Sequence, residues 1–267
     1  MPITIDPGNS INDNLVGWWP MDEGSGTVAN DVSGLGNHGT LVGGISWGSG
    51  PGGEGATVFH YDAGEGISVP HDASLALVGD MTMCAWVKMP GFPGYHNVLQ
   101  KGEGYPNPYG LVCASEGTYL TSGDGGSQDY LLSGTNFSVD TWAFLAGVRG
   151  GSDLTLYLNA TANGTNGFST APVDSGLDLV LGNRSDFAVP FNGSISHVRI
   201  WDRALSEVEL GYIYADIRFG ELSPPPPTST GARGRRLARW VISAPSIASP
   251  VGEWIRQRDD EEILFLG

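Results

Sequence analysis

The sequence predicts an all-β protein, a two-sheet antiparallel sandwich with one short helix near the end of its body and an extended C-terminal tail. Three observations carry this expectation. Glycine fills 41 of 267 positions, alongside many Asn, Asp, Ser and Thr. Glycine accepts positive φ and short polar side chains bond nearby backbone, so tight turns between short strands are favoured. Between such turns, strand-length apolar or alternating runs recur at 14–20, 56–59, 66–69, 81–88, 97–101, 109–114, 118–120, 142–148, 154–158, 179–182 and 193–202. The one clear helical signal is 204–214, where Ser206 precedes Glu207 and Glu209, and Leu205, Val208 and Tyr212 are expected to share a face.

Taken in order, the first run holds Trp18 and Trp19, which as neighbours on a strand point to opposite faces. One is expected in the core, the other accessible. In 81–88, Thr82, Cys84, Trp86 and Lys88 alternate with Met83, Ala85 and Val87, as in a strand with one face on a core. Trp86, Trp142 and Trp201 are expected to fill the space between the sheets. Cys84 and Cys113 lie in separate runs; two buried thiols and one disulfide are both open, the low cysteine count favouring thiols.

Charge divides the chain. The formal net charge is -16, which makes a nucleic-acid role improbable because a phosphate backbone would be repelled. Residues 1–222 hold 24 acids against 7 bases, whereas 223–267 hold 5 acids against 6 bases, all arginine. The organisation expected is an N-terminal arm (1–13), a sandwich domain (14–220), a linker (221–236) with four consecutive prolines that favour stiff polyproline II, and a C-terminal docking segment (237–267). That segment is too small and proline-broken for its own core, yet aromatic; Arg235, Arg236, Trp240, Trp254 and Phe265 are its expected contacts with a protein partner in a multi-subunit assembly. The start of the chain lacks the basic and apolar regions of a secretory signal, and no apolar run reaches the ~18 residues that span a bilayer. Location outside the cell or on a virion surface is expected, and no membrane span.

The ordered series GWWPMDEGSG, DVSGLGNHGTL, GISVPHDASLAL, MTMCAWVK, VLQKG, TWAFLAGVRGGSDLTLYLNA, LVLGNR and FNGSISHVRIWDRALSEVEL resembles the laminin-G-like, concanavalin A-like jelly rolls over roughly residues 14–214. The resemblance implies a jelly-roll sandwich with function on rim loops or the concave face. It also implies a structural Ca²⁺ tying the N-terminal turn to the sheet, and the match to D-x-S-G-x-G-N places Asp31 and Asn37 first among its ligands, with the backbone oxygen of Gly34. Asp and Asn oxygens suit that ion, although the same side chains form metal-free Asx turns. Relatives often carry an acid just before V-R-I, where this chain has Ser196 and His197. The five histidines are scattered, which disfavours zinc; His38 is expected to cap backbone in its turn.

Glycan hydrolysis within such folds needs two carboxylates at a fixed separation across the scissile bond. No E-x-D-x-x-E run stands in a strand here, nor does a nucleophile elbow or phosphate loop. A non-catalytic surface or adhesion module is therefore expected. One reading makes it a structural or decoration subunit of a large assembly such as a phage virion, anchored by its C-terminal segment. The other makes it a secreted carbohydrate-binding module, with calcium as a possible requirement, in which Tyr95, Tyr105, Tyr109, Tyr119 and Tyr130 offer flat faces to sugars. The stretch 89–110 is the best candidate rim, which puts Tyr95, Tyr105 and Tyr109 first.

Overall fold

The computed structural model describes residues 10–62, 64–104 and 106–219. The linker and docking segment expected over 221–267, and most of the arm, lie outside the described residues. The strands are β1 (Leu15–Trp19), β2 (Val28–Ala29), β3 (Gly39–Val42), β4 (Ser46–Ser49), β5 (Gly55–His60), β6 (Gly66–Val69), β7 (Met81–Lys88), β8 (Tyr95–Lys101), β9 (Tyr109–Ala114), β10 (Gly117–Gly123), β11 (Gln128–Leu132), β12 (Ala143–Gly150), β13 (Asp153–Leu158), β14 (Thr161–Gly167), β15 (Leu179–Leu181) and β16 (Asn192–Trp201). One helix, α1 (Glu207–Phe219), follows.

Two eight-stranded antiparallel sheets form the expected jelly-roll sandwich. The first runs β14-β13-β12-β7-β16-β5-β4, with β1 also paired to β16. The second runs β11-β10-β9-β8-β15-β6-β3-β2. Alternation decides what lies between them. Met81, Met83, Ala85 and Val87 of β7 face Leu111 and Cys113 of β9 and Leu120 of β10 in one core, joined by Trp19, Phe59, Val198 and Ile200. Each large apolar side chain removed from water there contributes about 1.5–3 kcal/mol before entropy is counted. The chain turns tightly beside this core at Gly182, where φ is +74° and the Phe59 ring would stand 2.1 Å from an added Cβ. Only glycine satisfies both demands.

The other face of the first sheet is also buried. Cys84, Trp86, Phe144, Ala146 and Trp201 meet Leu205, Leu210 and Ile213, with Ile11, Leu15 and Trp18 closing the layer. Trp86 stacks on Tyr214 of α1 with ring centroids 5.3 Å apart and planes 11° apart. Trp86, Trp142 and Trp201 therefore do not fill the intersheet space as expected; all three pack in the layer on the helix side, Trp86 and Trp201 as their register with Cys84 requires. Nor is either N-terminal tryptophan free: Trp19 is fully buried in the intersheet core, and Trp18 is covered by the Arg199 guanidinium 4.0 Å from its ring centre.

The helix begins on a reciprocal cap. Ser206 N–H donates to Glu209 Oε2 at 2.8 Å, and Glu209 N–H to Ser206 Oγ at 3.3 Å. Its buried residues are Leu210 and Ile213, with Tyr212 and Tyr214 partly buried beside them, while Val208 is 66% exposed. Of the expected face, Leu205 is buried just before the helix and Tyr212 packs partly buried against the same cluster; Val208 alone turns to solvent. Both cysteines are free, in different cores, and burial pushes each thiol up to about 12.

Two outcomes follow from this double layer. Trp86→Ala is expected to destabilise the domain by about 3–5 kcal/mol in urea unfolding. Cys84 and Cys113 are expected to resist a thiol reagent at pH 8 until denaturant is added, since the thiolate reacts and the folded state holds both as thiols.

Candidate functional site

With α1 and the N-terminal segment covering the first sheet, the outer face of the second sheet carries a cleft of about 440 Å³. Its floor follows from strand register. Asn97, Val112 and Tyr119 stand opposite one another on β8, β9 and β10, and the next row holds Gln100, Gly110, Thr121 and Tyr130. Leu99, Leu111, Leu120 and Leu131 alternate with these and enter the core. Gly110 keeps the floor low, since an added Cβ would meet Thr121 Oγ1 at 2.9 Å. Gly104 and Asn107 of the β8–β9 connection, and Arg184 and Val189 between β15 and β16, supply walls.

Three tyrosines cross this floor obliquely. Tyr95 and Tyr119 have ring centroids 5.8 Å apart, Tyr119 and Tyr130 5.9 Å. Tyr95 and Tyr130 are 56% and 57% exposed, large for aromatic side chains in a folded domain. Glu116 fixes part of the row: its carboxylate accepts from Ser115 Oγ at 2.6 Å, Tyr119 Oη at 2.8 Å and Tyr95 Oη at 3.2 Å. The Ser115 hydroxyl first, and then Tyr119, hold the Glu116 carboxyl at about 2, below its ordinary value of 4.5.

Polar groups complete the cleft. Asn107 Nδ2 donates to Gly104 O at 3.1 Å and its Oδ1 accepts from Thr121 Oγ1 at 2.9 Å. Gln100 Nε2 donates to Gly102 O and Gly104 O, both at 3.2 Å. Arg184 Nε donates to Asp186 Oδ1 at 2.6 Å. Among the described residues, no Asp or Glu lines the cleft.

Of the expected ligand residues, Tyr95 lies at the cleft and Tyr105 is outside the described residues. Tyr109 is a correction: it is fully buried, with its hydroxyl donating to Leu75 O at 2.9 Å, because its place on β9 turns it into the core. Tyr119 and Tyr130 take the place given to it. Their signal was strand alternation, Tyr119 against Leu120 and Tyr130 against Leu131, which puts a tyrosine outward wherever leucine is inward. Arg235, Arg236, Trp240, Trp254 and Phe265 lie outside the described residues.

Asp31 and Asn37 meet in the N-terminal turn that contains Gly34. Asp31 Oδ1 accepts from the N–H of Trp18 at 2.9 Å and of Ser33 at 2.8 Å; Oδ2 accepts from Ser33 Oγ at 2.7 Å and Asn37 N–H at 2.9 Å. Asn37 Nδ2 donates to Val16 O at 2.8 Å and Ser74 Oγ at 2.9 Å, and Trp19 Nε1 donates to Asn37 O at 2.7 Å. His38 Nδ1 accepts from Asp31 N–H at 3.0 Å, the backbone cap expected of it. As arranged, this set does not fit a cation: each Asp31 oxygen already faces two donors. Among the described residues no cluster of three His, Cys, Asp or Glu has metal-binding geometry, and no helix is long and apolar enough to cross a membrane.

The two antiparallel sheets packed face to face define a concanavalin A-like jelly-roll fold, with an aromatic cleft on the second sheet. The chain belongs to the concanavalin A-like lectin/glucanases superfamily, whose family model matches residues 62–211. No curated protein matches it. In fold it is similar to the binding domain of Paraclostridial Mosquitocidal Protein 1, with TM-score 0.65 and 16% identity over 78% of this chain and 53% of that one. It is also similar to domain 4 of AbnA, a GH43 extracellular arabinanase from Geobacillus stearothermophilus seen in complex with arabinotriose, with TM-score 0.62 and 20% identity over 75% of this chain and 98% of that domain. A third likeness is to the botulinum neurotoxin serotype D binding domain, with TM-score 0.59 and 14% identity over 77% and 52%. The chain thus spans about half of the two toxin binding domains and nearly all of the arabinanase domain.

The Asp31 hub sets a stability test. Asp31→Ala strands the N–H groups of Trp18 and Asn37 in buried surroundings, and at ~1–3 kcal/mol for each unsatisfied group the loss in urea unfolding is expected at about 2–6 kcal/mol. Addition of Ca²⁺ to the parent protein is expected to leave the unfolding midpoint unmoved.

Proposed function

We propose that this protein is a non-catalytic glycan-binding module that acts outside the cell and holds its ligand in the tyrosine cleft of the second sheet. The observation that carries the reading is the row Tyr95, Tyr119, Tyr130: aromatic faces in an open groove match the apolar faces of sugar rings, while the surrounding amides match their hydroxyls. Cleavage of a glycosidic bond asks for two carboxylates astride it, and the described lining supplies none. The arabinanase domain lends support, being a domain of similar fold from an extracellular protein with a trisaccharide bound. Calcium has no part in this reading, since the Asp31 turn is committed to hydrogen bonds at a distance in sequence from the cleft.

A second reading concerns attachment. The shift from an acidic body to an arginine-bearing, aromatic terminus supports a role for 223–267, through Arg235, Arg236, Trp240, Trp254 and Phe265, in anchoring the module to a larger assembly such as a virion. The two readings are compatible, as a surface subunit can also adhere to glycans. Removal of 223–267 is expected to abolish incorporation into that assembly while sugar binding persists; a truncated chain that still incorporates removes the anchoring role.

Binding is tested by calorimetry with arabinotriose and by retention on immobilised glycans, with and without chelator. Tyr119→Ala is expected to lower affinity at least tenfold, Tyr95→Ala and Tyr130→Ala several-fold, and chelator is expected to change nothing. The pH profile gives a separate check. A carboxyl held at about 2 keeps its three hydroxyl partners throughout the range above its ordinary value of 4.5, and releases them only as pH falls through about 2. Affinity is therefore expected to be flat from pH 7 to pH 4; a decline centred near 4.5 would show that Glu116 does not hold the tyrosines.

A further inference from the structure

The cleft contains buried polar atoms without partners, and these bear on the kind of glycan that fits. Asn97 is only 3% exposed; its Nδ2 donates to Val189 O at 3.3 Å, while its Oδ1 has no partner among the described residues. Gln128, at the start of β11, has both Oε1 and Nε2 buried and without partners among the described residues. Buried side-chain polar atoms in native folds are nearly always paired, because an unmet donor or acceptor keeps its full desolvation penalty. Both residues line the cleft, so ligand hydroxyls are the missing partners: one donating to Asn97, and a pair that donates to Gln128 Oε1 and accepts from its Nε2.

The aromatic row restricts the ligand further. Tyr95, Tyr119 and Tyr130 advance one row of the sheet at each step, so a ligand touching all three lies oblique to the strands. Neighbouring rings are inclined by 46° and 54°. A flat ribbon, with successive sugar rings coplanar, can stack on one of these rings but not on two adjacent ones; a chain that twists between units can meet each in turn. The site also disfavours acidic sugars. Arg184 lines the cleft with its charge already matched by Asp186, Glu116 stands at the tyrosine end, and the chain carries a net charge of -16.

Resting on the glycan-binding reading above, we propose that the cleft selects a neutral, twisted oligosaccharide of at least three units, one ring on each of Tyr95, Tyr119 and Tyr130, with its hydroxyls read by Asn97 and Gln128. The tyrosines supply sequence-tolerant stacking and the two amides supply discrimination. A site built to hydrogen-bond a hydroxyl rejects analogues lacking it, since its own buried groups are then left unmet.

The test uses the full chain on immobilised polysaccharides in three groups: amylose, linear arabinan and β-1,3-glucan as neutral twisted chains, cellulose as a flat neutral chain, and polygalacturonate as an anionic one. Retention is expected on a member of the first group and not on the other two. Oligomers of the retained polysaccharide are expected to gain at least tenfold in affinity between one and three units and little beyond three. Gln128→Ala, at a half-buried strand end, is expected to weaken the trimer at least tenfold with no change in unfolding midpoint, and Asn97→Ala is read the same way if it folds. Preference for cellulose or polygalacturonate, affinity independent of length, or an unaffected Gln128→Ala overturns this inference while leaving glycan binding in place. Failure to be retained on any of the five overturns both.

Discussion

The constraint on which the rest depends is that the central strands of one of the two sheets are buried on both faces. β7, β12 and β16 carry residues such as Met83 and Ile200 toward the second sheet and Trp86, Phe144 and Trp201 toward α1 and the N-terminal segment. A strand in that position cannot present side chains to a ligand. The outer face of the second sheet is left as the broad surface on which alternation can place aromatic rings in reach of solvent, and the cleft lies there. By covering the outer face of the first sheet, the helix leaves the outer face of the second sheet as the one that carries the cleft.

That dependence explains which parts of the molecule were legible in the sequence. Strong apolar runs such as Met81–Lys88 and Tyr109–Ala114 were found because a central strand must bury a continuous stretch. The short or polar strands Ser46–Ser49, Gln128–Leu132 and Thr161–Gly167 were missed, since an edge strand with much exposed surface needs little apolar content. Trp86 and Trp201 lie in the expected strands but on the opposite face, and Trp142 falls just before β12 on that same side. Alternation fixes which residues share a face but not which face looks toward the partner sheet, and that choice is made by α1, whose packing residues Leu210, Ile213 and the partly buried Tyr214 are ordinary helix residues in any local window.

The site was legible by halves for the same reason. Tyrosines in the right region were visible, yet Tyr109 and Tyr119 differ only in the phase of their strands, and phase is set by Leu111 and Leu120 meeting the core. The N-terminal turn shows a second limit. Oxygen atoms of Asp31 and Asn37 are the same atoms whether they ligate an ion or receive N–H groups, and sequence spacing is the same in both cases. Only the direction of Trp18, Ser33 and Asn37 N–H groups toward Asp31 distinguishes a cap from a cage.

Glu116 links the sheet to the affinity expected of the cleft. A tyrosine with 56% exposure is ordinarily free to change rotamer, and fixing a side chain on binding costs about 0.5–1.5 kcal/mol each. Here one carboxylate at the turn between β9 and β10 accepts from both Tyr95 and Tyr119, joining residues on β8 and β10 across the intervening strand. The ordering is thus done when the domain folds rather than when the ligand arrives, and the held rings keep their mutual tilt. A rigid, inclined pair of faces discriminates by shape in a way that two mobile rings cannot, because mobile rings would rotate to accommodate a flat chain as readily as a twisted one. In the proposed glycan-binding role, the selectivity of this cleft rests on a carboxylate that stands beside the rings and anchors their hydroxyls.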